Sequence, residues 1–139
     1  MPLSLEIVTP DGVAWKGENV DSVTLPTANG EIQILPSHIP LVTIIKAGEI
    51  VVVNSGKSES LAVSDGYARV MGDCVSVLTE DAINIEEVNL EDAEKAHQQA
   101  IKAMQEELAK STIDEEEIRR LEAMARFSIA QKLAKNNRH

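Results

Sequence analysis

The sequence is poor in aromatic residues, in cysteine, in long apolar runs and in basic charge, and each shortage excludes something. Trp15, Tyr67 and Phe127 are its only aromatics, so its core must be built from Val, Ile, Leu and Ala, and it offers no platform for stacked bases. A single cysteine, Cys74, excludes an intrachain disulfide and suits a reducing compartment. Its setting, Cys74-Val75-Ser76-Val77, reads as a strand in which the thiol is a small core residue. No apolar run approaches the ~20 residues that span a bilayer. The start, Met1-Pro2-Leu3-Ser4-Leu5-Glu6, has neither the basic opening nor the long apolar stretch of a secretory signal, and strand-like alternation from Leu3 argues against a transit peptide. The net charge is −10, and the deficit of basic residues falls in residues 1–87, where Lys16, Lys46, Lys57 and Arg69 stand against 13 acidic side chains. Without a basic stripe for phosphates, nucleic acid is not an expected partner.

What is present changes period near residue 88. Before it lie every Gly and Pro of the chain, and apolar residues alternate or run in short blocks. Leu3, Leu5 and Ile7 alternate up to the turn Thr9-Pro10-Asp11-Gly12; Val20, Val23 and Leu25 lead to Asn29-Gly30; Glu31 to Leu35 ends at Pro36. Leu41 to Ile45 follows, then two hairpins, Glu49 to Val63 around Asn54-Ser55-Gly56-Lys57 and Tyr67 to Leu78 around Gly72-Asp73. Short strands with a turn about every ten residues predict a β-sandwich or flattened barrel over residues 1–87.

Residues 88–139 carry charges interleaved with Ala, Leu, Ile and Met at three- and four-residue spacing, which is helical. The first helix is expected to start at Asn89 as N-cap, with Asp92 three residues on, and to run to about Lys110. Its stripe is Leu90, Ala93, His97, Ile101, Met104 and Leu108. The second is expected to open on Thr112 and Glu115 as a capping box, with a stripe of Ile118, Leu121, Ala125, Ile129 and Leu133 and a basic end of Lys132, Lys135 and Arg138. A short break at Ser111-Thr112 makes the two antiparallel neighbours. Because the stripes are rich in Ala, each residue buries little area, and at ~25 cal/mol per Å² the seam is modest and able to open. The expected fold is therefore α+β: an N-terminal antiparallel β-sandwich, residues 1–87, followed by a C-terminal two-helix hairpin, residues 88–139.

The segment Gly30-Glu31-Ile32-Gln33-Ile34-Leu35-Pro36-Ser37-His38-Ile39-Pro40-Leu41-Val42-Thr43 resembles the G-E-x-x-I-x-P-x-H-x-P-L-[LV]-T stretch of the epsilon subunits of F-type ATP synthases. Gly66-Tyr67-Ala68-Arg69-Val70 and Val75-Ser76-Val77-Leu78 resemble the family's later hairpin, and the order of parts agrees over essentially the whole chain. The resemblance implies a non-catalytic subunit of the rotating central stalk. Its sandwich would clamp the gamma subunit and rest on the loops of the membrane c ring. Its helices would lie against the sandwich or extend along gamma toward the catalytic α/β hexamer, where they restrain ATP hydrolysis.

Carried over by position, the resemblance assigns Gly30, Glu31 and His38 to c-ring docking, with the Glu31 carboxylate steering basic loop residues. It assigns Arg119, Arg120 and Arg126 to contacts with the α/β hexamer in the extended form. The family's ATP motif, [IL]-D-x-x-R-A, meets Val88, Asn89, Asp92 and Ala93 here, so Asn replaces Asp and an aspartate stands where a phosphate wants arginine. No nucleotide or other cofactor is expected. His38 lies between Pro36 and Pro40, far in sequence from His97 and His139, with no ligand cluster at metal spacing, and is read as a presented contact residue. The implied location is peripheral, at the cytoplasmic face of a bacterial inner membrane, held by protein contacts and not by insertion into lipid. The competing class is a free-standing ligand sensor or adaptor with a helical lid. An enzyme has no support, for the sequence holds no phosphate loop, no nucleophile with its base and no metal box.

Overall fold

The computed structural model describes residues 2–136. Alternation of apolar and polar side chains produces most of the strands directly. They are β1 (Leu3–Thr9), β2 (Gly12–Val20), β3 (Ser22–Thr27), β4 (Gly30–Ile34), β5 (Leu41–Ile45), β6 (Gly48–Asn54), β7 (Lys57–Val63), β8 (Gly66–Met71), β9 (Cys74–Thr79) and β10 (Ala82–Asn84). Along the sheet the order is β10-β7-β6-β3-β5-β8-β9-β1-β2, with β4 paired to β3. The β3–β5 link is one residue pair, Thr27↔Ile45, and there the sheet folds over into a sandwich. Across the other side Trp15 Nε1 on β2 donates to the Glu59 carboxylate on β7 at 2.8 Å, drawing the far strands together.

All pairs are antiparallel except β1–β9, which runs parallel from Ser4↔Cys74 to Val8↔Leu78. The inward set includes Leu3, Leu5, Ile7, Leu25, Ile34, Ile45, Ile50, Val52, Leu61, Val70 and Val77, an aliphatic core with Trp15 packed at its margin. Cys74 departs from expectation. It is exposed, because the core parity of β9 belongs to Val75 and Val77, and Ser4 Oγ lies 3.4 Å from its sulfur.

A 3₁₀ turn at Ile85–Glu87 joins the sandwich to α1 (Leu90–Leu108) and α2 (Glu115–Asn136). Asn89 caps α1 as expected, its Oδ1 accepting the Asp92 N–H at 3.1 Å. The cap of α2 is Asp114 and not Thr112: Asp114 Oδ1 accepts from Glu116 N–H at 3.0 Å and Glu117 N–H at 3.3 Å. Thr112 sits two residues too early, inside a connection closed by Glu107. That buried carboxylate accepts the Asp114 N–H at 3.0 Å and pairs with Lys110 at 2.7 Å.

The fully buried part of the seam between the helices is made by small side chains and Leu121. Ala93 and Ala100 of α1 and Leu121, Ala125 and Ser128 of α2 are buried, whereas Leu90, Leu108, Ile129 and Leu133 of the expected stripes are exposed. Small residues let the backbones approach, and that face wins over the larger aliphatics. Below the seam, Ala134 joins Ile85, Val88 and the partly buried Ile83 in a second small core. Arg138 lies outside the described residues.

Candidate docking faces and the seat of the hairpin

Strand parity gives the sheet β5-β8-β9-β1 an outer face opposite the core. The register aligns Ile44, Tyr67, Leu78 and Val8 in one row, and Val42, Arg69, Ser76 and Glu6 in the next. Met71 and Cys74 pair beyond them. Val42, Ile44, Tyr67, Met71 and Leu78 are each 53% to 68% exposed, so the first row is apolar throughout, while in the second Val42 stands beside Arg69, Ser76 and Glu6. An exposed apolar row of this kind, rimmed by polar side chains, marks an interaction surface. Its upper end sinks into a cavity of about 630 Å³ lined by Val8, Ile44, Lys46, Asp65, Tyr67 and Glu80.

The hairpin sits elsewhere, with α2 lying on β6 and β7 and against the 3₁₀ turn. Among the described residues, three polar contacts tie α2 to its surroundings. Arg126 Nη2 donates to Asp65 Oδ2 at 2.6 Å, Lys135 Nζ donates to the Ile85 carbonyl at 3.1 Å, and Lys132 pairs with Glu94 of α1. The hydrogen bond from Gln98, then Lys132, holds the Glu94 carboxyl below its ordinary range. Lys110 and then the Asp114 N–H do the same for Glu107.

The residues expected to dock on a c ring separate into two places. Gly30 adopts φ +107 in the turn between β3 and β4, with Glu31 exposed beside it at the rim of a groove of about 400 Å³ that also holds Ile129 and Leu133. His38 follows the other end of β4, about 14 Å of strand away. There the Ser37 N–H donates to Asp73 Oδ1 at 2.9 Å, and His38 Nδ1–H donates to the Ile39 carbonyl at 2.7 Å. The Ser37–Asp73 bond places the His38 segment beside the Gly72-Asp73 turn, at the Met71–Cys74 end of the apolar face.

Of the three arginines, Arg119 and Arg126 share one side of α2, seven residues apart, and Arg120 points about 100° away. Arg119 is loosely paired with Glu115 at 3.9 Å, Arg120 forks onto Glu117 and reaches Met124 Sδ at 3.2 Å, and Arg126 holds the sandwich. Val88, Asn89, Asp92 and Ala93 work as a helix start. Val88 N–H closes the 3₁₀ turn on the Ile85 carbonyl at 3.3 Å, Asn89 caps Asp92, and Ala93 is buried. Among the described residues no group of three or more His, Cys, Asp or Glu is arranged to hold a metal.

Sequence reasoning missed Asp65 and the apolar outer face. Asp65 looks like turn punctuation in Ser64-Asp65-Gly66. The face had a signal: Leu41-Val42-Thr43-Ile44-Ile45 and Val75 to Leu78 keep apolar side chains at both parities, which a strand with one watered face does not need.

A sandwich with an exposed apolar face on one sheet and a helical pair packed on the other has the build of a protein-binding module. The pattern described as "ATP synthase, Delta/Epsilon chain, beta-sandwich domain" matches residues 2–85. The ATP synthase epsilon chain of Herpetosiphon aurantiacus is 36% identical over 136 residues, covering 98% of each chain. That of Desulforamulus reducens is 35% identical over 127 residues, covering 91% of this chain and 96% of the relative. A chain in the Euglena gracilis mitochondrial ATP synthase shares the fold with a TM-score of 0.74 at 23% identity, covering 96% of this chain and 81% of that one. A chain of the Tetrahymena thermophila central stalk and c ring does so with a TM-score of 0.66 at 11% identity, covering 97% of both. The chain belongs to the ATP synthase epsilon chain family. It is accordingly a non-catalytic, central-stalk subunit serving ATP synthesis by a membrane-associated complex. Among the described residues no helix is long and apolar enough to cross a membrane.

Proposed function

We propose that the chain clamps the gamma shaft with its outer sheet face and restrains ATP hydrolysis with its hairpin. The observation that carries the reading is the bare apolar surface of Val42, Ile44, Tyr67, Met71 and Leu78, which the hairpin leaves open by packing on β6 and β7. In this reading residues 1–87 are the docking unit and 88–139 the regulatory unit. Gly30 and Glu31 meet the c-ring loops, the carboxylate attracting basic side chains. His38, at the far end of β4, needs a second c loop to make the same kind of contact. Attachment is peripheral, at the cytoplasmic face of a bacterial inner membrane, through protein and not lipid.

Extension of the hairpin carries Arg119, Arg120 and Arg126 to acidic surface on the α/β hexamer. One ion pair at 3.9 Å on the helix surface, with Glu115, holds Arg119 weakly, so it can be re-partnered at small cost. The helix-start roles of Asn89 and Asp92 leave no cation at the phosphate position, and the hairpin works without bound nucleotide. The test is ATP hydrolysis by a reconstituted α3β3γ assembly with the whole chain or its R119E/R120E/R126E variant. The whole chain should inhibit, and the variant should bind with inhibition relieved. Equal inhibition by both would remove the arginines from the mechanism, and failure of the whole chain to bind would reject the clamp.

A further inference from the structure

The Asp65 carboxylate sits between the hairpin and the outer face. Oδ2 accepts from Arg126 on α2 at 2.6 Å, and Oδ1 accepts the Ala47 N–H from the β5–β6 turn at 2.9 Å. Asp65 and Glu80 line two cavities: the one at the head of the apolar face, and another of about 550 Å³ beneath α2 beside Met124, Phe127 and Ser128. The two acids therefore form a wall shared between the docking face and the seat of the hairpin. On the outer side Lys46 is, among the described residues, the only basic one lining the cavity.

The turn bearing Asp65 cannot yield on its own. Ser64 N–H donates to the Asp81 carbonyl at 3.0 Å, Thr79 Oγ1 donates to the Ser64 carbonyl at 2.9 Å, and Asp81 N–H donates to Ser64 Oγ at 2.9 Å. What can change is the cation that Asp65 serves. Arg126 already has a second acid, Glu122, at 3.9 Å on its own helix, so leaving Asp65 does not strand its charge. Asp65 is one-third exposed, and the outer cavity gives a second cation a route to it.

We infer that Asp65 is a shared switch: its pair with Arg126 latches the hairpin down, and a basic side chain of the protein seated on the outer face takes the carboxylate and frees α2. This deepens the clamp-and-brake reading and rests on it for the identity of the partner, gamma. The latch alone is decided without gamma.

The test is amide hydrogen exchange on the full chain, wild type and with Asp65→Asn, Arg126→Gln or both. Asparagine keeps an oxygen for the Ala47 N–H and removes only the charge. Each single variant should speed exchange across 115–136 roughly two- to fivefold, the range of a half-exposed ion pair, and the double variant should match the singles. Amides of β6 and β7 should not change. Unchanged α2 exchange in the single variants, or additive effects in the double, would overturn the latch. Adding purified gamma to wild type should protect residues 66–71 and 74–79 and speed α2 exchange, and the second effect should vanish in Asp65→Asn. Protection of the face with α2 unmoved overturns the coupling but leaves the clamp standing. No protection of the face overturns the coupling and the clamp together, while the latch stands or falls on the variants.

Discussion

Alanine at Gly66 should be the most damaging single-methyl change in the sandwich. Gly66 opens β8 opposite Thr79, and its φ is not in the left-handed region, so its reason for being glycine is space. A Cβ there would stand 1.9 Å from the Leu78 carbonyl oxygen and 2.9 Å from both the Leu78 carbonyl carbon and Thr79 Cα. The oxygen contact is about 1.5 Å short of ordinary van der Waals distance, and both partners are backbone. No rotamer relieves it; β8 and β9 must splay where the buried Ser64–Thr79 hydroxyl pair closes the turn. Overpacking costs ~1–3 kcal/mol, and each ladder or hydroxyl hydrogen bond lost adds ~1, giving a loss of at least about 3 kcal/mol.

Trp15 reports the loss, because it is the only tryptophan, is packed at the core margin and is tied to Glu59. With a urea slope of ~1.5 kcal/mol per M, the fluorescence midpoint should fall by about 2 M. Gly72→Ala is the control. It sits at φ +61 with nothing within 4 Å of a Cβ, so only the left-handed penalty of ~1–2 kcal/mol applies, a shift of about 1 M. A Gly66→Ala midpoint within 0.5 M of wild type, or a larger loss at Gly72, would refute the steric argument.

Acid should loosen the hairpin before the sandwich. Glu107, Glu94 and Glu117 are held below the ordinary carboxylate value of 4.5, by Lys110, Gln98 and Arg120 respectively as leading causes. A depressed folded value means that their stabilisation is complete above the unfolded value and is lost as pH falls through the folded one, so α1–α2 amide protection should drop below about pH 4.5. Glu107→Gln should flatten that response, and a hairpin as protected at pH 3.5 as at pH 7 would count against it. Cys74 should react stoichiometrically with a maleimide in the native protein, since it faces out beside Met71. Its labelling should slow on addition of gamma, and an unchanged rate would move the clamp off this face.

Much of the sandwich was legible because its strands obey a simple period. Val75 and Val77 alternate cleanly, and the same alternation should have placed Cys74 outside; its residue type argued for burial and parity argued against, and parity won. The strand Gly12–Val20 left almost no signal. Only Val20 of its nine residues is buried, and register shifts between Leu3 and Leu5 and between Ile7 and Val8 break the alternation with β1. In the helices, hydrophobicity ranks Ile129 and Leu133 above Ala130 and Ala134, yet the alanines are buried. Close approach of one backbone to another is a property of the assembled layers and is not written in any single helix. Asp65 is harder still, for its partners Ala47 and Arg126 lie 18 and 61 residues away and neither spacing belongs to a local pattern.

The proposed brake sets a requirement that the packing meets. A sandwich filled with Leu, Ile and Val is a rigid body, and α2 turns buried alanines toward it, Ala130 beside the start of β6 and Ala134 against Ile85 and Val88 of the connection, together with a few charge contacts. Truncating a large aliphatic residue to Ala costs ~2–5 kcal/mol in a core, and these alanines have already forgone that gain. A hairpin seated by isoleucines and leucines at the same positions would stay down whatever bound the outer face. To invert a two-state population from 1:99 to 99:1 a partner must favour one state by ~5.5 kcal/mol. A small-residue seat held by exchangeable ion pairs keeps the difference within reach of one protein contact. Ile129 and Leu133, left exposed on α2, are then apolar surface that the hairpin keeps free for whatever it meets when it extends.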